Sequence, residues 1–133
     1  MRVVVDTNVF LSGVFFAGHP YDILDAWRRG EVELVLSAEI LAEYQSTAEK
    51  LALKYPDIDF ATWIDLAAVK ASMVQAPPLP EQVCTDADDD KFLACALASR
   101  TTIITTGDKA LLRASGYQGI EILTPAAFVA KYL

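Results

Sequence analysis

The first strand of the chain is the feature that most limits its fold. Residues 3–5 are three consecutive valines, and the polar residues 6–8 follow them directly. A continuous β-branched run indicates a strand that is buried on both faces, as in a parallel sheet. We therefore expect Asp6 at the point where this strand ends, on the carboxyl edge of the sheet, where ligands bind in open α/β folds. The ordinary alternative is that Asp6 only caps the helical turn after the strand.

Strand and helix patterns alternate along the rest of the sequence. Further strands are predicted at residues 31–36, 74–76, 101–105 and 119–123, and helices at residues 9–14, 21–29, 37–55, 57–73, 92–100, 110–114 and after Pro125. This alternation predicts an α/β fold, with a central, mainly parallel sheet covered by helices on both faces.

Size and composition favour one ordered domain over residues 1–133. Hydrophobic residues make up 53% of the chain and charged residues 22%, as in an ordinary globular protein. The longest apolar runs are too short to cross a bilayer, and the start of the chain lacks the layout of a signal peptide. We therefore expect a cytoplasmic protein that has no contact with membranes.

The cysteines and the single histidine argue against two kinds of chemistry. Cys84 and Cys95 show no metal-binding or redox spacing, and Cys95 lies in an apolar run where a free thiol behaves as a small hydrophobic residue. His19 is far from both in the sequence. We therefore expect neither a disulfide nor thiol catalysis.

Acidic residues outnumber basic ones, and the formal net charge is −7. Such a charge argues against a protein that binds the phosphate backbone over a wide basic surface. It does not argue against a nucleic-acid enzyme whose acidic residues surround a cation.

Two predicted strands are each followed by an aspartate, Asp6 after the first and Asp108 after the strand at 101–105. In a parallel sheet both would lie on the same edge. Between them in sequence, residues 86–90 carry four aspartates at the start of a buried helix. Helix capping explains one of them, and Lys91 could neutralise another, but clustered carboxylates raise one another's pKa unless a cation is present.

Carboxylates without histidine or thiolate partners suit hard cations such as Mg²⁺ or Mn²⁺. The run is not a calcium loop, because it lacks the glycine and the distal glutamate of that motif. The chemistry indicated is metal-assisted phosphoryl transfer or phosphodiester hydrolysis, in which a cation activates water.

The segments 3–8, 37–43, 86–96 and 106–108, together with the closing 123–126, resemble the PIN-domain family. More narrowly, they are similar to the VapC-like toxins of type II toxin–antitoxin pairs. The resemblance covers nearly the whole chain. It implies a Rossmann-like, three-layer α/β/α domain and a Mg²⁺- or Mn²⁺-dependent endoribonuclease.

The resemblance also implies which residues act. The family's catalytic and metal-binding acids fall on Asp6, Glu43, Asp89 and Asp108, with Asp90 as the second choice within the acidic run. For Glu43, an ordinary flanking glutamate at the margin of an apolar helix stripe is the alternative. Small polar positions that would orient the metal or its waters fall on Thr7, Asn8 and Thr106.

The basic residues near these segments, Lys91, Lys109 and Arg113, are expected to be solvated surface residues. The partners implied are an RNA substrate, a small antitoxin that covers the acidic pocket, and a second copy of the chain. We expect a homodimer that forms through the helices around Trp63 and Tyr21.

Three other functions stay open at this point. A receiver-like phosphoacceptor domain has a similar size, but it needs an aspartate that ends a strand in the middle of the chain. A catalytically silent PIN-fold module would only bind a partner. A metal-dependent phosphatase would use the same acids on a smaller substrate.

Overall fold

A computed structural model describes all residues 1–133 and has three α/β/α layers around a parallel sheet. The five strands have the order β3-β2-β1-β4-β5, and every neighbouring pair is parallel. Their bounds are β1 Arg2–Val5, β2 Glu33–Ser37, β3 Ser72–Val74, β4 Ile103–Thr105 and β5 Glu121–Leu123. The predicted α/β class is confirmed, and the sheet is entirely rather than mainly parallel.

Seven α-helices connect the strands and cover the sheet. Their bounds are α1 Thr7–Phe15, α2 His19–Arg28, α3 Ala38–Lys54, α4 Phe60–Lys70, α5 Asp90–Ser99, α6 Lys109–Leu112 and α7 Pro125–Tyr132. A short 3-10 turn, Ala87–Asp89, leads into α5. None of these helices is long and apolar enough to cross a bilayer.

The centre of the sheet is fully apolar, as its sequence requires. Val3, Val4 and Val5 of β1 are at most 1% exposed, and α5 packs across β1, β2 and β4. Strand β1 has parallel neighbours on both sides, so its backbone hydrogen bonds are satisfied within the sheet. The carboxyl end of β1 is therefore a rigid place for a polar residue.

Helix ends follow the local capping rules. The Ser37 hydroxyl accepts a hydrogen bond from the Ile40 N–H at 3.3 Å and begins α3, and Thr124 begins α7 with Pro125 at its first position. Helix α1 is longer than the single turn predicted for residues 9–14. Gly13 allows α1 to pack closely against α2, because a Cβ there would come within 2.8 Å of Leu24 and of the Pro20 carbonyl on α2. Close packing of two helices thus outweighs the low helix propensity of glycine.

The strand order creates a crevice at the carboxyl edge. From β1 the chain goes to β2 and β3 on one side, and later to β4 and β5 on the other. Val5 of β1 pairs with Thr105 of β4, so the residues that follow both strands meet where the strand order reverses. Ligands bind at such switch points in doubly wound sheets.

The same topology removes the receiver-like alternative. Strands β2 and β3, which come from the middle of the chain, end in Ser37 and Val74, and Asp57 lies in the loop between α3 and α4. No aspartate therefore ends a strand in the middle of the chain, which a phosphoacceptor domain of that kind needs.

Candidate active site

Asp6 lies at the end of β1 and is 7% exposed. Its side chain makes no well-aligned capping hydrogen bond to α1, although the Asn8 N–H in the first turn of that helix lies near it. Instead, the Thr106 hydroxyl donates a hydrogen bond to Asp6 Oδ2. Burial raises the pKa of Asp6, the Thr106 bond and the nearby Asn8 N–H oppose that rise, and the charges of Glu43 and Asp108 add to it.

Thr106 connects the ends of the two central strands. It is fully buried, and its hydroxyl oxygen accepts a hydrogen bond from the Asp108 N–H at 3.0 Å while the hydroxyl donates to Asp6. Asp108 Oδ1 in turn accepts from the Ala110 N–H at 2.9 Å and begins α6. One oxygen of Asp108 is therefore engaged, and its exposed carboxylate faces the same edge as Asp6.

Tyr44 holds α3 against the end of β1. It is fully buried, its ring stacks on Phe10 with centroids 4.4 Å apart, and its hydroxyl donates to the Val5 carbonyl. The neighbouring Glu43 consequently lies over the carboxyl edge of the sheet. Its Oε1 accepts from the Thr7 hydroxyl, and its Oε2 accepts from the Lys91 ammonium group.

The four aspartates of residues 86–90 have different partners. Asp86 Oδ1 accepts from the Asp88 N–H at 3.0 Å, and Asp88 pairs with Lys91 at 3.1 Å. Both oxygens of Asp90 accept from the loop before it, from the Val83 N–H at 3.0 Å and the Cys84 N–H at 2.7 Å. Burial alone would raise the pKa of Asp90, but these N–H groups outweigh it and lower the pKa.

Asp89 is the one aspartate of the run without such a partner. Burial, followed by the charges of Asp108, Asp6 and Asp86, raises its pKa to about 7. An aspartate that titrates near neutral pH is a common property of functional sites. The structure thus brings Asp89 to the same edge as Asp6 and Asp108.

The remaining site residues occupy different environments. Thr7 and Thr106 are buried and bonded to Glu43 and Asp6, whereas the side chain of Asn8 is exposed. The expectation of a solvated Lys91 is wrong: its side chain is 18% exposed and contacts two carboxylates. The available signal was the spacing of Asp88 and Lys91 at the start of a helix, which places oppositely charged side chains together.

A divalent cation such as Mg²⁺ requires several oxygen donors that converge on one point. No group of three or more His, Cys, Asp or Glu side chains has the geometry to hold a metal ion as it stands. Glu43 is turned towards Thr7 and Lys91, which accounts for one missing donor. Three carboxylates at one edge, of which Asp6 and Asp89 have raised pKa values, are nevertheless the type of set that a hard cation neutralises, so the residues fit Mg²⁺ or Mn²⁺.

A cleft of about 440 Å³ adjoins this edge without containing these acids. It is lined by the connector before α5 together with Asp88, Asp90 and Lys91, and excludes Asp6, Glu43, Asp89 and Asp108. The four acids thus lie on the open carboxyl edge beside the cleft. A long substrate could reach them there without entering a closed cavity.

The fold and the acidic edge define an α/β protein with a carboxylate site at the switch point of its sheet. The chain belongs to the PIN-domain family, whose model, described as "PIN domain", matches residues 2–110. PIN-domain proteins are generally nucleases, and those nucleases typically use divalent metals.

Two relatives show how far this similarity extends. The chain is 34% identical over 115 residues to the uncharacterized protein MJ1680 of Methanocaldococcus jannaschii, which covers 84% of this chain and 74% of that protein. The crystal structure of PAE2754 from Pyrobaculum aerophilum matches with a TM-score of 0.61 at 16% identity, over 97% of this chain and 87% of the other. That second similarity supports the fold alone.

The different partners of Asp90 and Asp89 predict different effects of an alanine substitution on the free energy of unfolding. Asp90→Ala should lower the free energy of unfolding by about 2 kcal/mol, because two backbone N–H groups lose a charged acceptor. Asp89→Ala should leave the free energy unchanged or raise it, because a repelled carboxylate is removed. Urea denaturation in the presence of chelator measures both, and equal losses in the two variants would contradict this division of roles.

The raised pKa of Asp89 predicts a pH dependence of stability. Its folded pKa of about 7 lies above the unfolded value of 3.8, so folding favours the protonated form. The contribution of the protonated Asp89 carboxyl group to the free energy of unfolding is complete below about pH 4, and it is lost as the pH rises through about 7. In chelator, wild type should therefore lose more stability than Asp89→Asn between pH 5 and pH 8.

Asp57→Asn is the matched control, because Asp57 is exposed in the loop after α3. Its pH profile should follow that of wild type. A profile of Asp89→Asn that also follows wild type would show that Asp89 carries no such repulsion.

Proposed function

We propose that this protein is a Mg²⁺- or Mn²⁺-dependent endoribonuclease, folded as one PIN-like domain. The observation that carries the proposal is the meeting of Asp6, Asp89 and Asp108 at the switch point of the sheet, where the charge of Asp108 contributes to the raised pKa of both Asp6 and Asp89. PIN-family membership adds a nuclease class to this arrangement.

In this proposal Asp6, Asp89 and Asp108 hold the cation, and Glu43 is a fourth acidic residue beside them that is bonded to Thr7 and Lys91. The bound cation would activate a water for attack on the phosphodiester and stabilise the leaving oxygen. Thr106 donates to Asp6, which favours the ionised form that a ligand needs and fixes its orientation. The same hydroxyl accepts a hydrogen bond from the Asp108 N–H, so Thr106 also positions the segment that follows β4.

We also propose that the protein is the toxin of a toxin–antitoxin pair. A small antitoxin would insert a basic side chain among the acids or cover them, and the net charge of −7 would guide such a partner. A homodimer through the helices around Trp63 and Tyr21 is part of the proposal, and Tyr21 is 37% exposed. Light scattering that gives only monomer at micromolar concentration would contradict the dimer.

RNA cleavage provides the first test. Wild type is incubated with a mixed pool of structured and unstructured RNA in Mg²⁺, in Mn²⁺ or in chelator. Cleavage should require the metal and should fall by at least about a hundredfold in Asp6→Asn, because removing a ligand charge weakens both cation binding and its orientation. Asp57→Asn, which changes an exposed aspartate in the loop after α3, should cleave like wild type.

Cleavage that persists in chelator, or that is unchanged in Asp6→Asn, would contradict the mechanism. Metal binding without cleavage of any RNA would favour a different phosphoryl substrate, as in a phosphatase. Absence of both metal binding and cleavage would favour the catalytically silent, partner-binding module.

A further inference from the structure

Lys91 lies between two carboxylates and is largely removed from solvent. It is the second residue of α5, and its side chain is only 18% exposed. Its ammonium group contacts Glu43 Oε2 on α3 and Asp88 Oδ1, the latter at 3.1 Å. These contacts join the acidic run to the helix that carries Glu43.

The Glu43 carboxylate is consequently engaged on both of its oxygens. Thr7 donates to Oε1 from the start of α1, and Lys91 donates to Oε2. The carboxylate is 26% exposed, so solvent screens this pair less than a fully exposed one. For Glu43 to bind a cation through Oε2, it would first have to lose the lysine.

The three aspartates at the switch point have no comparable positive partner. Thr106, a neutral donor, supports Asp6, and a backbone N–H contacts Asp108. The pKa of Asp89 is raised by negative neighbours. The acidic edge is therefore divided into a part neutralised by lysine and a part without any cation.

We propose that Lys91 is a positioning residue that occupies the place of a second cation, holds Glu43 against Thr7, and limits the metal set to Asp6, Asp89 and Asp108. This inference rests on the proposed metal-dependent function. It predicts one divalent cation per chain, with Glu43 acting through its contacts and not as a ligand. Its conservative replacement, arginine, keeps the charge and should keep the effect.

Calorimetric titration of the purified full chain with Mn²⁺ tests this inference directly. Wild type and Lys91→Arg should each bind one Mn²⁺. Lys91→Met should bind two, because Glu43 is released and the repulsion between the ammonium group and a nearby cation is removed. That repulsion corresponds to about tenfold in affinity for a univalent and a divalent charge about 6 Å apart in water.

Two further variants place the effect on Glu43. The double variant Lys91→Met/Glu43→Gln should return to one Mn²⁺. Glu43→Gln alone should bind its single Mn²⁺ within about twofold of wild type, because Glu43 contacts Thr7 and Lys91 and supports none of the three aspartates. Loss of a group that does support a metal ligand typically costs about 10- to 100-fold in affinity. This last measurement does not depend on whether Lys91→Met folds.

Lys131→Met is the control, because Lys131 of α7 forms an ion pair with Glu121 of β5 and contacts none of the candidate site residues. It should bind one Mn²⁺. Thermal unfolding in chelator and in Mn²⁺ separates positioning from simple stabilisation: Lys91→Met should be less stable than wild type in chelator and should recover in Mn²⁺. A merely structural lysine would give the same deficit in both conditions.

Two Mn²⁺ ions bound to wild type, a tenfold loss in Glu43→Gln, or an unchanged stoichiometry in Lys91→Met would each overturn the inference. Metal-dependent RNA cleavage that is lost in Asp6→Asn would still stand in those cases, so the proposed function survives separately. Absence of Mn²⁺ binding by wild type and every variant would overturn both.

Discussion

Repulsion among carboxylates at the carboxyl edge is the constraint on which the rest of this structure depends. Asp6 is buried and Asp89 has a pKa of about 7. The negative charge of Asp108 helps to raise the pKa of both. Ionised groups in such positions reduce stability unless they are paired. The rest of the fold must therefore be stable enough to offset this repulsion and rigid enough to keep the carboxylates close together.

The sheet supplies both. The central strand β1 is apolar, is paired on both sides and is covered by α5, so its end cannot move away from the end of β4. Thr106 and Tyr44 then connect this rigid end to the surrounding segments, through Asp6 in one case and the Val5 carbonyl in the other. Functional sites often keep charges that are unfavourable for stability and offset them elsewhere, and this edge follows that pattern.

Much of this arrangement could be predicted from local patterns, and the reason is physical. The position of an aspartate after a buried strand follows from the strand itself, which is why Asp6 and Asp108 could be placed on one edge. Asp88, Asp89 and Asp90 could not be distinguished in that way, because they share one local context. Their partners depend on how the loop before α5 folds back: the Val83 and Cys84 N–H groups contact Asp90, and Lys91 contacts Asp88.

The same limit explains the two clearest errors. Lys91 was expected in solvent because lysine usually is, but α3 brings Glu43 to it from 48 residues away. Helix α1 was expected to be a single turn within residues 9–14, but it extends over Thr7–Phe15 and packs closely against α2. In both cases tertiary packing outweighed a local preference.

The charge distribution also determines how a polyanionic substrate could approach. With a net charge of −7 the chain repels RNA at long range, and the basic residues near the site are few. Lys91 cannot supply much attraction, because Glu43 and Asp88 already neutralise it. For an RNA substrate, affinity would then come from the divalent cation and from Lys109 and Arg113, which are exposed beside Asp108 in sequence. Such an enzyme would depend on the cation for RNA binding as well as for chemistry. Its activity would therefore follow the metal concentration more closely than it follows counterion release, which governs binding by basic nucleic-acid-binding proteins.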